Sequence, residues 1–446
     1  MIDNSLFTNK KVVYHTLGCK LNFAETSAIG KQLADEGFVK ARAGEEADIC
    51  IINTCSVTDT ADHKCRQAIS RLHRLHPKAK MIVTGCYAQL KPQEIAGIEG
   101  VDLVLGANEK FDILSYLENG NSSSEPKIRR GDILKVKEFK PSVSHDDRTR
   151  YFLKIQDGCD YYCSFCTIPL ARGHSRSGTI AETVKMAEEV ISQGAREIVL
   201  TGVNTGEFGK RNGEKFMDLL KALDEIDAEV RFRISSVEPN LLTEEIIRFV
   251  SVSKRIMPHF HIPLQSGSNE VLKLMKRRYT TEDFADKVAI IRQYLPDAFI
   301  GVDTIVGVRG ETDELFEESV QFIRSLDFSQ LHVFTYSERA DTKMLEIEHN
   351  VAIKERKRRS DLLHVISDEK TKSFYEKQIG KRATVLWESK RDGDVMHGFT
   401  ENYIRVERPY DRKMVNVVEN IIPGEWNADK TALISPLNTP PVEVRS

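Results

Sequence analysis

The sequence predicts an α/β protein in three parts: a doubly wound N-terminal domain, a partial (β/α)6 barrel and a small C-terminal antiparallel β-barrel. Three observations carry that expectation. Apolar runs alternate with helical patterns four times before residue 118. Six strand-helix units of longer period follow over residues 151–361, and the last segment breaks into five short β-prone runs parted by turn residues. The corresponding bounds are 1–120 for the first domain, 121–145 for a linker, 146–375 for the barrel and 376–446 for the last domain.

Composition narrows the class. A chain of 446 residues suits about three domains, and 40% hydrophobic with 29% charged residues is a globular balance. No stretch is long and apolar enough to span a bilayer, and MIDNSLFTNKK lacks the apolar core of a signal peptide, so a cytoplasmic protein without membrane contact is expected. Eight cysteines in a reducing compartment favour metal or redox use over a disulfide framework. A net charge of −3 gives no general attraction to nucleic acid, although charge can still be segregated locally.

In the first domain, KVVYHTL, DICIIN, KMIVTG and VDLVLG read as parallel strands, followed by helical stretches at 22–37, 58–76, 91–98 and 109–117. Cys19, Cys55 and Cys86 each fall just past a strand, in TLGC, INTC and TGC. The carboxyl ends of parallel strands share one edge, where crevices lie, so three cysteines remote in sequence are expected to meet in space. Cys50, inside a strand run, and Cys65, inside a helix, lack that placement and read as core. The linker follows, with polar stretches NGNSSSEPK and PSVSHDDRTR and one strand expected around 132–139.

The barrel strands are YFLKIQ, REIVLTGV, VRFRIS, PHFHIPL, AFIGVDTIVG and QLHVFTYS. Six are too few to close an eight-stranded barrel, so an open one is expected, with its site at the carboxyl ends of the strands. The loop after the first strand holds Cys159, Cys163 and Cys166 in the spacing C-x3-C-x2-C. A structural zinc site closes with four protein ligands, whereas a 4Fe-4S cluster held by three thiolates keeps one iron open, so the cluster fits better. His259 and His261 lie in an apolar strand and read as core or barrel-lining residues, and the run KERKRRSD reads as an exposed helix face.

The last segment contains ATVLWE, VMHGFT, YIRVE, MVNVVEN and TALIS, separated by turn signals such as RDGD and IPGEW. Small barrels of this kind often bind RNA. Its basic and acidic residues are equal in number, so composition alone leaves a purely structural barrel as an alternative.

The cysteine spacing of the barrel loop, with aromatic Phe165 just before the last Cys, resembles that of radical S-adenosylmethionine (SAM) enzymes. Two sets of three cysteines and a terminal β-barrel together make essentially the whole chain similar to the radical SAM methylthiotransferases. LGCKLN at 17–22, TGCYAQ at 84–89, DGCDYYCSFCTIPLARGHSRS and LTGVNTGEFG most resemble the branch that acts on N6-threonylcarbamoyladenosine of tRNA. The branch acting on isopentenyladenosine more usually has Gln and Met between the first Cys and Asn. The branch acting on a ribosomal-protein aspartate shares the architecture.

The resemblance implies a methylthiotransferase N-terminal domain, a radical SAM core and a TRAM domain, with SAM and two 4Fe-4S clusters as cofactors. It assigns Cys159, Cys163 and Cys166 to the cluster that cleaves SAM, and Cys19, Cys55 and Cys86 to an auxiliary cluster that carries sulfur. SAM contacts are expected from Gly202 in LTGVNTG, Glu238 in SSVEP and Gln265 in HIPLQSGS, with Phe165 and with Arg172 and Arg176 in ARGHSRS. The implied partners are a tRNA anticodon stem-loop, methylthiolated at C2 of the adenine, a reducing electron donor and a sulfur source, for a monomeric enzyme. A zinc-containing RNA-binding protein is the alternative from another class. Two loops depart from the family: GVRGET at 307–312 lacks a usual Pro, and SERADT at 337–342 lacks two prolines and a glycine. Both leave the six cysteines untouched.

Overall fold

The computed structural model describes residues 9–118, 127–144 and 149–436. Its first domain runs β1 (Lys11–Thr16), α1 (Lys20–Asp35), β2 (Val39–Lys40), β3 (Ile49–Thr54), α2 (Asp59–Leu75) and β4 (Lys80–Gly85). It continues through α3 (Cys86–Leu90), α4 (Pro92–Ala96), β5 (Leu103–Leu105), α5 (Ile113–Glu118) and β6 (Lys127–Arg129). The strands pair in parallel in the order β2-β1-β3-β4-β5-β6.

Strand β3 is buried along its whole length because both faces of the sheet are covered. Ile49 and Ile51 pack with Ile29, Leu33 and Ile113 on one side, while Cys50 and Ile52 pack with Cys65, Ile69 and Met81 on the other. The domain is therefore doubly wound, and Cys50 and Cys65 are core residues. Chain order reverses between β1 and β3, which opens a crevice at their carboxyl ends.

The linker differs from expectation at both ends of its described part. Residues 127–129 extend the first sheet as β6, and the strand expected over 132–139 is instead a 3-10 turn at Ile133–Lys135. Asp132 accepts a hydrogen bond from the Leu134 N–H at 3.1 Å, and this local bond offers the backbone an alternative to strand pairing. Most of NGNSSSEPK, and residues 145–148 within PSVSHDDRTR, lie outside the described residues.

The second part contains β7 (Ser142–Val143), β8 (Arg150–Lys154), β9 (Gln156–Asp157), α6 (Ile168–Arg172), β10 (Arg176–Ser177), α7 (Ile180–Ser192) and β11 (Glu197–Thr201). After these come α8 (Phe216–Asp224), β12 (Arg231–Ile234), α9 (Glu244–Val252), β13 (His259–Gln265), α10 (Asn269–Leu274) and α11 (Thr281–Tyr294). The part closes with β14 (Phe299–Val306), α12 (Asp313–Ser325), β15 (Gln330–Thr335) and α13 (Ile353–Glu376). Strands β8, β11 and β12 pair in parallel, as do β13, β14 and β15, and a bridge between Ser236 and His261 joins the two groups. No pairing among the described residues joins β15 back to β8, so the six-stranded barrel is open.

Alternation along these strands sends Leu153, Ile198, Phe232, Ile262 and Val302 into the main apolar core. Each such side chain contributes about 1.5–3 kcal/mol when fully buried. The alternate positions, among them Lys154, Glu197, Arg233, His261, Asp303 and His332, carry polar groups. In α13, Arg356 and Arg359 of the KERKRRSD run are buried against Glu311 and backbone carbonyls, so that run is only partly an exposed face.

The last part comprises β16 (Ala383–Asp392), β17 (Val395–Thr400), β18 (Arg405–Pro409), β19 (Val418–Ile421) and β20 (Leu433–Ile434), ordered β19-β16-β17-β18-β20. This sheet curls around Trp387, whose indole N–H donates to Glu419 at 2.7 Å. The β18–β20 pairing is parallel and the others antiparallel. The sheet closes the amino-terminal end of the barrel: Tyr403 packs on His259 and Phe299, Arg233 donates to the Glu401 carbonyl, and Arg150 pairs with Glu388 at 2.8 Å. No helix among the described residues is long and apolar enough to cross a membrane.

Candidate functional site

Three loops leave the first sheet at one edge, after β1, β3 and β4, and each begins with a cysteine of the first set. Gly18 holds φ at +104° and approaches Cys55 so closely that an added Cβ would lie 2.7 Å from the Cys55 Cβ and 3.1 Å from its Sγ. Asn22 ties the same loops together by donating to the carbonyls of Leu17 at 2.8 Å and Thr54 at 3.1 Å. Cys19 and Cys86 are near enough to Cys55 to act electrostatically on its thiol. Cys19 is exposed, Cys55 half-buried and Cys86 buried, so the structure gathers the three thiols in a partly open crevice.

The second set lies in the loop after β9. Its Cys159 N–H donates to Gly173 O and its Cys166 N–H to Cys163 O, each at 3.1 Å, while Ser164 is anchored to the carbonyls of Leu274 and Met275. Cys159, Cys163 and Cys166 act on one another electrostatically and pack with Tyr161 and Phe165. Phe165 also reaches the apolar cluster around Met275 and Tyr336, which stiffens the loop.

Burial pushes the Cys55 and Cys166 thiols up to about 12 and raises those of Cys86, Cys159 and Cys163 as well. A nucleophilic or disulfide-exchanging cysteine needs the opposite shift. Thiols of this kind act as thiolates once a metal displaces their protons.

Between the two sets lies a fully buried charge network. Glu25 of α1 meets Lys110, Lys154 and Arg172, and Asp157 meets Lys154, Arg172 and Arg176, at 2.5–3.1 Å. Burial alone would raise both carboxyls, but Arg172, Lys110 and Lys154 around Glu25, and Lys154, Arg172 and Arg176 around Asp157, hold them well below the usual carboxylate range. Four cations surround two carboxylates, and the surplus faces the first thiol set, where burial raises Cys86 while Arg172 and Lys110 oppose it. Three thiolates carrying an iron-sulfur cluster bring the negative charge that such a buried surplus requires, so the residues present fit a cluster there.

A second fit concerns SAM. Buried polar atoms are nearly always paired. Both side-chain polar atoms of Asn204, Oε2 of Glu207, Oγ of Ser235 and Oε1 of Gln265 nevertheless lack a partner, and all follow the carboxyl ends of β11, β12 or β13, at the edge that carries the second thiol set. Gly202 sits there too, where an added Cβ would lie 2.9 Å from Gln156 Oε1. Such an edge suits a polar ligand with amine, carboxylate and hydroxyl groups.

Arg277, absent from the sequence reading, organises this edge. It donates to Cys163 Sγ at 2.9 Å, to Tyr279 Oη at 3.0 Å and to the Glu238 carboxylate. Burial raises the Glu238 carboxyl and Arg277 opposes the rise. No motif marked Arg277, which lies in a loop beyond α10. Arg172 and Arg176, expected near SAM, are instead committed to Asp157 and, for Arg172, to Glu25 and Asn22. The departing loops have structural work as well: Arg339 of SERADT binds Ser56, Asp59 and Asp62 of the first domain at 2.7–2.8 Å, and Glu311 of GVRGET pairs with Arg359.

Inside the barrel, Asp303 accepts from His261 at 2.7 Å, and the His332 ring stands 5.3 Å from that of His261. His259 is stacked on Phe299. A separate cleft of about 1050 Å³ lies between α1, β8 and β16, lined by Phe23, Lys31, Phe152 and Lys390 and by none of the six thiols.

An open six-stranded barrel with a three-thiol loop at its mouth defines a radical SAM fold, here joined to a second thiol edge on a doubly wound domain. Residues 153–323 match the radical SAM superfamily, and residues 11–106 match a family described as Uncharacterized protein family UPF0004. Threonylcarbamoyladenosine tRNA methylthiotransferase MtaB of Bacillus subtilis (strain 168) is 39% identical over 405 residues, 89% of each chain. The protein of the same name from Aquifex aeolicus (strain VF5) is 36% identical, over 92% of this chain and 100% of that one. The fold resembles that of the radical SAM methyltransferase TsrM from Kitasatospora setae, with a TM-score of 0.56 at 16% identity over 73% of each chain. The chain belongs to the radical SAM methylthiotransferase family.

Proposed function

We infer that this protein methylthiolates C2 of N6-threonylcarbamoyladenosine next to the anticodon of tRNA, using SAM and two 4Fe-4S clusters. The supporting observation is the pairing of near full-length similarity to the threonylcarbamoyladenosine enzymes with two three-thiol edges joined by the Glu25–Arg172 network. Cys159, Cys163 and Cys166 would hold one cluster, and Cys19, Cys55 and Cys86 the other. When bound, these cofactors supply a radical able to open an unactivated C–H bond, together with the sulfur and methyl group placed there.

The chain's own residues hold this chemistry in place. Arg277 keeps positive charge against Cys163 and the Glu238 carboxylate. Asn204, Ser235 and Gln265 offer unpaired polar atoms that would orient SAM, with Gly202 leaving room for it. Arg172 spans the two domains, so both thiol edges keep a common orientation and the two reactants meet without a search. The enzyme acts as a monomer in the cytoplasm, on the anticodon stem-loop, and draws electrons and sulfur from separate donors.

Anaerobic reconstitution with iron and sulfide, incubation with tRNA and SAM, and mass spectrometry of the nucleosides test this reading. The expected product is 2-methylthio-N6-threonylcarbamoyladenosine. A methylthio group found only on isopentenyladenosine or on ribosomal protein overturns the substrate assignment. Stoichiometric zinc with no SAM cleavage overturns the enzyme itself.

A further inference from the structure

One cation in the barrel lumen is left over. Lys20, next in sequence to Cys19 and first in α1, has no hydrogen-bond or ion-pair partner among the described residues. It retains some accessible surface, yet Tyr403, Arg150 and Arg233 act on it from the closed end of the barrel. It acts in turn on His259 and His332 of the barrel wall. Lys20 therefore projects from the first domain into the lumen.

The carboxylates around it are already engaged. Glu197 pairs with Arg233 at 2.9 Å, Glu388 with Arg150 at 2.8 Å, and Asp303 with His261 at 2.7 Å. Arg231, at the start of β12, is buried with one guanidinium nitrogen unpaired. A recess with surplus cations and no free carboxylate is complementary to an anion, and a neutral apolar group placed there would strip water from Lys20 without replacing it.

The position of Lys20 relates this recess to the reaction. Any group bound to it lies one residue from Cys19 of the first thiol set. In a threonylcarbamoyladenine the N6 substituent leaves the ring two bonds from C2 and ends in a carboxylate beside a hydroxyl. An adenine that offers C2 to the thiol edge therefore carries its carboxylate within a side chain's reach of that edge.

We propose that Lys20, with the imidazoles of His261 and His332, forms a carboxylate-binding subsite that takes the threonyl carboxylate of the substrate nucleoside and so selects an acidic N6 substituent over an apolar one. The subsite rests on the functional reading above. His261 is turned by its bond to Asp303, and His332 stands edge-on to it, so both rings line the recess that Lys20 enters.

The test uses the reconstituted holoenzyme and anticodon stem-loops that carry threonylcarbamoyladenosine either as the free acid or as the carboxamide. Equilibrium binding, read by fluorescence anisotropy, is expected to favour the acid by on the order of 30-fold. Lys20→Met is expected to abolish that preference by weakening the acid alone, and Lys20→Arg to retain most of it. Iron content and SAM cleavage, measured on each variant, separate this effect from damage to the thiol edge. Methylthiolation of the acid stem-loop by the wild type without any acid-over-amide preference, or equal loss of both ligands in Lys20→Met, overturns the subsite alone. Rejection of the acid stem-loop with acceptance of an isopentenyladenosine one overturns the functional reading together with it.

Discussion

Replacing Cys19, Cys55 or Cys86 with alanine is expected to abolish methylthio transfer while SAM cleavage continues. The two thiol sets sit on different elements, one at the edge of the first sheet and one in a loop tied to Gly173 and Met275, so losing a ligand from the first leaves the second assembled. Transfer should fall by more than the roughly 10- to 100-fold typical when a metal site loses an outer-shell partner, since a direct ligand is lost. Alanine at Cys159, Cys163 or Cys166 should stop both activities. The two are separated by measuring 5′-deoxyadenosine and methylthio-nucleoside in the same anaerobic reaction. Cleavage that falls in parallel with transfer in the first group would make the first set an electron relay.

The second large effect is on stability. Glu25→Gln keeps the side-chain shape and removes one of two carboxylates from a network of four buried cations, leaving Lys110 without its carboxylate. Breaking a buried ion pair from one side costs about 3–5 kcal/mol, because the remaining charge stays desolvated. Denaturant unfolding should show this as a lower midpoint for separation of the first domain from the barrel. The pH dependence has a definite sign. Glu25 and Asp157 have folded values depressed below their ordinary 4.5 and 3.8, so their contribution is complete above that range and is lost as pH falls through it toward the folded values. In Glu25→Gln, the part of the acid sensitivity due to residue 25 should vanish.

The sheet strands were legible because their signal is local. Ile49 to Ile52, Met81 to Val83 and the six barrel runs announce themselves as apolar segments bounded by turns, and cysteines just past three such strands had to share an edge. What escaped was long-range pairing. Arg172 and Arg176 read as ligand contacts because guanidinium suits carboxylate, but their carboxylates belong to the protein, Glu25 being 147 residues from Arg172 in sequence. Arg277 meets Cys163 across 114 residues, and no spacing rule connects the two. The short β6 is missed for a related reason, since three residues of a sheet edge carry too little hydrophobic pattern to stand out from a polar linker.

The doubt over the SERADT loop resolves in the same terms. Arg339 is nearly buried against Ser56 and Asp62, next to Cys55, so this loop clamps the first domain to the barrel. Asp341 adopts φ of +62°, a conformation usual for glycine and tolerated by aspartate at modest cost.

Iron content tests most directly whether one chain holds two separate three-thiol cluster sites. Anaerobically reconstituted wild-type protein should bind about eight irons per chain, and about four should remain in either the Cys19, Cys55, Cys86 triple alanine variant or the Cys159, Cys163, Cys166 one. About four irons in the wild type, unchanged when Cys19, Cys55 and Cys86 are replaced, would contradict the account.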